Sequence, residues 1–201
     1  MSAPTPAPVE FIPDDYFAPL PPGALFEPSS RPLEIDVGCG DGTFLLQMAA
    51  HFPERNFLGI ERLSGRIRKI CRRAARQGLT NVRVIHLESA YTLAWLLPPH
   101  CAPRLHLLFP DPWPKKRHAF HRFVHPENLA GLHRALAPGG TFLFKTDHPE
   151  YFAEATAVVD ASPCFTRLPW LDAAEFYPIT DFEQQWLDAG KPIQAARWTR
   201  P

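Results

Sequence analysis

The chain has 201 residues, 45% of them apolar, which is enough to bury one hydrophobic core and too little for two ordinary enzymatic domains. Lys plus Arg and Asp plus Glu each number 21, so there is no net charge to draw in a polyanion, and nucleic acid would have to meet a local patch. Cys39, Cys71, Cys101 and Cys164 stand thirty or more residues apart, outside zinc and redox spacings, and no apolar run approaches the roughly 18 residues of a membrane span. With no basic-then-apolar leader at the start, a cytoplasmic protein without membrane or metal is expected.

Nine of the 24 prolines fall within Met1–Pro32, so residues 1–31 read as a proline-rich arm. Phe11, Ile12, Tyr16, Phe17, Leu20, Leu25 and Phe26 suggest that part of it docks on the body, while the residues before Phe11 suit a disordered tail equally well. From residue 32 to 201 short apolar runs alternate with helical patterns. Strands are expected at Leu33–Val37, Asn56–Ile60, Val82–Leu87, Leu105–Phe109 and Thr141–Lys145. Helices are expected at Phe44–His51, Leu63–Gln77, Tyr91–Leu97, Pro126–Ala137 and Tyr151–Asp160. That alternation is the signature of an α/β fold: a Rossmann-like, doubly wound, mostly parallel sheet with helices on both faces. Ile193–Trp198 reads as a further strand, pairing antiparallel at the sheet edge with one near Phe165–Leu168.

The first strand runs into Gly38-Cys39-Gly40-Asp41-Gly42, where glycine lets the backbone bend sharply and approach a ligand. The second ends in Glu61, about 20 residues on, where a carboxylate can accept from both hydroxyls of a ribose. A nucleoside is therefore expected. The spacing is GxGxG rather than GxGxxG, and Asp36 and Asp41 flank it. Carboxylates there repel a pyrophosphate and suit the amino group and sulfonium of S-adenosylmethionine, which is preferred over NAD and over a tight turn with no ligand. After the third strand either Glu88 or Ser89 can meet the adenine amine, the other reading of Ser89 being a helix N-cap.

The fourth strand enters Phe109-Pro110-Asp111-Pro112-Trp113-Pro114-Lys115-Lys116-Arg117-His118. Phe109, Asp111 and Trp113 each precede a proline, so an extended, stiff loop is expected. In an open parallel sheet, ligands bind beyond the strand ends where the order reverses, which puts Asp111 near the transferring methyl group.

Here the chain resembles the bacterial tRNA guanine-N7 methyltransferase family, whose hallmark is Phe-Pro-Asp-Pro-Trp followed by basic residues. Gly59-Ile60-Glu61, Pro138-Gly139-Gly140, Thr146-Asp147 with Tyr151, and Thr180, Phe182 and Glu183 follow in the family's order. The resemblance implies donor contacts from Asp36, Glu61, Glu88 or Ser89, and Asp111, the expected catalytic residue, beside the Gly38, Gly40 and Gly42 turn already read as the cofactor-binding backbone. It also implies substrate contacts from Lys115, Asp147, Thr180 and Glu183, with tRNA as partner and a variable-loop guanine as target; the sequence leaves monomer or homodimer open. Family members usually carry glutamate at the position of Asp36 and an acid at that of Ser89, and Ala119-Phe120-His121 interrupts their basic run.

Guanine N7 has a free lone pair, so the reaction needs placement rather than a general base. Asp111, Asp147 and Glu183 can accept from guanine N1 and N2, Lys115 can grip a phosphate or guanine oxygen, and Trp113 or Tyr177 can stack on an extruded base or simply pack in the core. Arg62, Arg66, Arg68, Lys69, Arg72, Arg73 and Arg76 lie on one predicted helix whose apolar stripe is Leu63, Ile67, Ile70, Cys71 and Ala74. With Lys115, Lys116, Arg117, His118 and Arg122 they form either a solvated face or a nucleic-acid footprint. The competing functions are an exocyclic-amine methyltransferase, a non-catalytic RNA-binding relative and a nicotinamide oxidoreductase.

Overall fold

The computed structural model describes residues 8–27 and 30–201, without the side chain of Lys116; the arm before residue 8 and residues 28–29 lie outside the described residues. Seven strands form one sheet: β1 (Leu33–Val37), β2 (Asn56–Glu61), β3 (Val82–His86), β4 (Ala102–Leu108), β5 (Leu136–Thr146), β6 (Thr166–Leu168) and β7 (Gln194–Thr199). Their order is β3-β2-β1-β4-β5-β7-β6, with β3 to β5 parallel and β7 antiparallel to both β5 and β6. The C-terminal strand thus sits one place in from the edge, and the three-residue β6 is the edge itself.

The helices are α1 (Thr43–His51), α2 (Ser64–Arg76), α3 (Ser89–Tyr91, continuing as a π-helical turn over Thr92–Leu96), α4 (Pro126–Ala135), α5 (Pro149–Asp160) and α6 (Asp181–Asp188). Proline opens α4 and α5, where its missing N–H costs nothing. The helix α6 was not expected, although Thr180-Asp181-Phe182-Glu183 has the form of a capping box: the Thr180 hydroxyl accepts from the Glu183 N–H. The helix expected to reach Ala137 stops at Ala135, because Leu136 already pairs with Ala102 as the start of β5.

Alternation along β1 divides the molecule. Ile35 and Val37 face the larger core, built from α3, α4, α5 and Leu20, Leu25 and Phe26 of the arm. The arm runs beside β3, where Val9 O accepts from Val84 N–H and Phe11 N–H donates to Val84 O, so it covers that strand's open edge. Ile12 and Phe17, expected to dock, are 66% and 83% exposed. What anchors the arm there is polar, since Tyr91 Oη donates to Tyr16 O and Trp95 Nε1 to Phe17 O.

On the opposite sheet face α1 and α2 cover β2 and β3, with Phe44, Met48, Ile67 and Ile70 between them. Beside them lies a buried polar seam. The Glu34 carboxylate accepts from Arg55 (2.8 Å) and from His106 Nε2 (2.9 Å), leaving His106 Nδ1 to accept from the Tyr177 hydroxyl (2.9 Å). Arg104 donates to Glu175 at 2.7 Å, so the seam fastens residues 175–177 across β1 and β4. Burial alone would raise the Glu34 carboxyl, but the His106 hydrogen bond and the Arg104 and Arg55 cations outweigh it and hold it at about 2.

Candidate active site

Four parallel strands bring the sequence-predicted residues to one edge of the sheet. Strand order reverses between β1 and β4, and Asp36 pairs with Gly59 on one side and His106 on the other. The turn after β1, the end of β2, the loop after β4 and the end of β5 therefore open side by side.

In the turn, Gly38, Gly40 and Gly42 have φ of 72°, 59° and 78°, the left-handed region that disfavours a side chain. A Cβ on Gly38 or Gly40 would meet nothing within 4 Å, so their backbone faces open space, a cradle that a ligand can fill. Gly42 serves packing instead: its Cβ would lie 2.7 Å from Ile70 Cγ1.

Asp36 is 3% exposed, and no group among the described residues donates a hydrogen bond to its carboxylate. Burial, with the neighbouring Glu61 charge adding to it, pushes its carboxyl up to about 8. Glu61, equally buried, accepts from Leu63 N–H (2.8 Å) and Arg66 (3.3 Å), which orients it and leaves further lone pairs. An acid pair with so little local compensation, beside an open backbone turn, fits a cationic ligand bearing a diol and disfavours a pyrophosphate. Asp41 is a correction: it does not flank the cradle as a free carboxylate. It accepts from Lys69 (2.8 Å), the Thr43 N–H (3.2 Å) and Arg73, and although burial works against it, the Lys69 and Thr43 hydrogen bonds hold it at about 2. Glu88, not Ser89, caps α3, its two oxygens accepting from Ala90 and Tyr91 N–H. Ser89 beside it is half-buried.

The loop after β4 is not extended as its prolines imply. Phe109 and Trp113 take φ of 52° and 43°, strained for residues with a side chain. Tertiary bonds hold the strain: Phe109 N–H donates to Lys145 O (2.8 Å), and Arg122 donates to the carbonyls of Pro112 (2.8 Å) and Trp113 (3.3 Å). Arg122 is itself buried, paired with Glu154 of α5 and set over the Tyr151 ring. It is a brace for the corner rather than a surface cation, which sequence reasoning missed. Asp111, at the apex, is exposed and bonds to nothing among the described residues.

The acceptor side is looser. Lys115 is exposed, and Asp147 has Lys191 at 3.6 Å. Glu183 is 6% exposed; its Oε1 accepts from Lys145 Nζ at 2.6 Å while its buried Oε2 has no partner among the described residues. Lys145, also missed, lies 5.6 Å and 5.4 Å from the rings of Trp170 and Tyr177, favourable for a cation. Tyr177 packs against Phe44 and His106, so of its two readings the core one holds; Trp113 is half-buried, 4.7 Å from the His121 ring. Among the described residues no three His, Cys, Asp or Glu side chains are grouped to hold a metal, and no helix is long and apolar enough to cross a membrane.

Comparison with known proteins bears on the family and the fold. Residues 30–196 match a family model described as "Putative methyltransferase". A tRNA (guanine-N(7)-)-methyltransferase of Azorhizobium caulinodans is 38% identical over 175 residues, 85% of this chain and 76% of its own length. One of Geobacter metallireducens is 36% identical over 185 residues, 90% of this chain and 87% of its own length. Among solved structures, the 16S rRNA methyltransferase KamB superposes with a TM-score of 0.60 at 20% identity, over 84% of this chain and 87% of that one; at that identity the likeness speaks for the fold alone.

Proposed function

The chain belongs to the tRNA (guanine-N7)-methyltransferase family, and from that premise we propose that it transfers a methyl group from S-adenosylmethionine to N7 of a guanine in the tRNA variable loop. The observation that carries this reading is the junction of two features at adjacent strand ends: the buried Asp36–Glu61 pair beside the open glycine turn, and Asp111 on the braced corner next to it.

On this reading Asp36 faces the positive amino and sulfonium groups, Glu61 accepts from the ribose hydroxyls, and Ser89 or Glu88 meets the adenine amine. Bound S-adenosylmethionine supplies a methyl carbon on a positively charged sulfur. The N7 lone pair forms the new N–C bond while the electrons of the old C–S bond stay on sulfur, so no proton moves and no base is required. What the chain supplies is placement and charge. Asp111 stabilises the positive charge that passes to the purine and accepts from its N1 or N2 hydrogens. The unpartnered Glu183 Oε2 offers a second acceptor, held by Lys145, and Asp147 offers a third. A fixed acceptor array of this kind recovers barrier through orientation.

Incubating the purified protein with unmodified tRNA and labelled S-adenosylmethionine, followed by nucleoside analysis, is expected to yield 7-methylguanosine. A different methylated nucleoside, or no label in tRNA, would contradict the reading.

A further inference from the structure

The cations of α2 and its approach are of two kinds. Arg66, Lys69 and Arg73 are engaged: Arg66 donates to Glu61, Lys69 to Asp41, and Arg73 to the Asp41 carboxylate, the Asp41 carbonyl and the Thr43 hydroxyl. These three hold the glycine turn and the end of β2. Arg62, Arg68, Arg72 and Arg76 are exposed, and among the described residues none has a carboxylate within 4.0 Å.

Arg68, Arg72 and Arg76 recur every fourth residue, so they form one line along the helix, about 6 Å from one to the next. The line points away from Ile67, Ile70 and Ala74, which bury the opposite face. The side chains of Lys69, Arg72, Arg73 and Arg76 border a surface hollow along it. Residues 62–76 hold seven of the chain's 21 cations and no acid, so the remainder carries 14 cations against 21 acids. A chain of zero net charge therefore has one strongly positive flank, which steers an approaching polyanion to a single side.

We propose that the Arg68–Arg72–Arg76 line, with Arg62 at its head, is the docking surface for the ribose-phosphate backbone of tRNA, outside the catalytic pocket. The proposal rests on the tRNA reading given above and adds where the RNA body is held. A row of exposed guanidinium groups suits an extended string of phosphates, because each contact releases condensed counterions. The same helix grips Asp41 and Glu61 through its other cations, and Thr43 donates to Asp181 at the head of α6 (3.0 Å). RNA seated on α2 is thereby held at a fixed position relative to both the donor turn and the Glu183 helix.

The test is the combined variant Arg68→Gln, Arg72→Gln and Arg76→Gln, which breaks no ion pair among the described residues. Its tRNA affinity is measured across a salt series beside the wild type, together with tRNA KM, kcat and S-adenosylmethionine affinity. The slope of log affinity against log salt is expected to shrink by about 3, one per lost phosphate contact, and KM for tRNA to rise about tenfold or more. Saturating kcat and donor affinity are expected to stay at wild-type values. A wild-type slope and KM in the variant would overturn the proposal, as would loss of adhesion to phosphatidylserine vesicles with tRNA binding intact. If the wild type binds tRNA without methylating it and the variant still loses slope, the docking surface stands and only the methyl-transfer reading falls.

Discussion

Glu34 and Asp36 stand two residues apart on the same face of β1, and the sheet treats them in opposite ways. At the foot of the strand, Glu34 is surrounded by donors, Arg55 and His106 among them, and is held ionised down to about 2. At the head, Asp36 has no donor among the described residues and an acid for a neighbour, and is pushed up to about 8. Both are buried. What separates them is whether the fold supplies the counter-charge, and on the proposed function the partner of Asp36 is the positive charge of the methyl donor. The foot is a fastening for the C-terminal segment, and the head, on the same proposal, is a socket.

Removing each end breaks the comparison differently. Glu34→Ala is expected to cost about 3 kcal/mol by stranding His106 and Arg55, lowering the melting temperature by about 10 °C, with donor affinity in the surviving fold unchanged. The sign in pH follows from the lowered carboxyl: the Glu34 contribution is present above the ordinary carboxylate range and fades as pH falls toward 2. A wild-type melting curve for the variant would show that the seam does not fasten the fold. Asp111→Ala should come next, lowering the transfer rate about a hundredfold or more with the melting temperature unaltered, since its side chain bonds to nothing among the described residues. Retained turnover in a single-turnover assay would remove Asp111 from the chemistry. The smallest effect belongs to Thr180→Ala, which takes away the cap of α6 for about 1 kcal/mol, seen as a drop of a few degrees in melting temperature.

The five parallel strands were legible because each is a short, mainly apolar run between helical patterns, and the glycine turn with Glu61 was legible because the proposed donor site asks for these residue types at this spacing. What escaped was decided by partners distant in sequence. Prolines set a preference for extended backbone at Phe109 and Trp113, but Lys145 O and Arg122 override it locally, and no short-range pattern encodes either bond. Arg122 read as one more surface cation because its partner Glu154 lies 32 residues away. Asp41 looked equivalent to Asp36 until Lys69 and Arg73 folded onto it. The capping pattern at Thr180 to Glu183 was the one missed signal that was local. Its residues had already been assigned to the substrate, and a helix start can serve both roles.

The most direct test of the socket is the affinity for S-adenosylmethionine as a function of pH, measured for the wild type and Asp36→Asn. Burial and the Glu61 charge keep the carboxyl protonated until pH rises through about 8, so binding a cation must expel that proton. The association constant of the wild type is therefore expected to climb about tenfold per pH unit from 6 toward 8 and then level off, while the variant binds weakly and without that slope. A flat profile for the wild type, or one shared by both proteins, would contradict the assignment of Asp36 as the partner of the donor's positive charge.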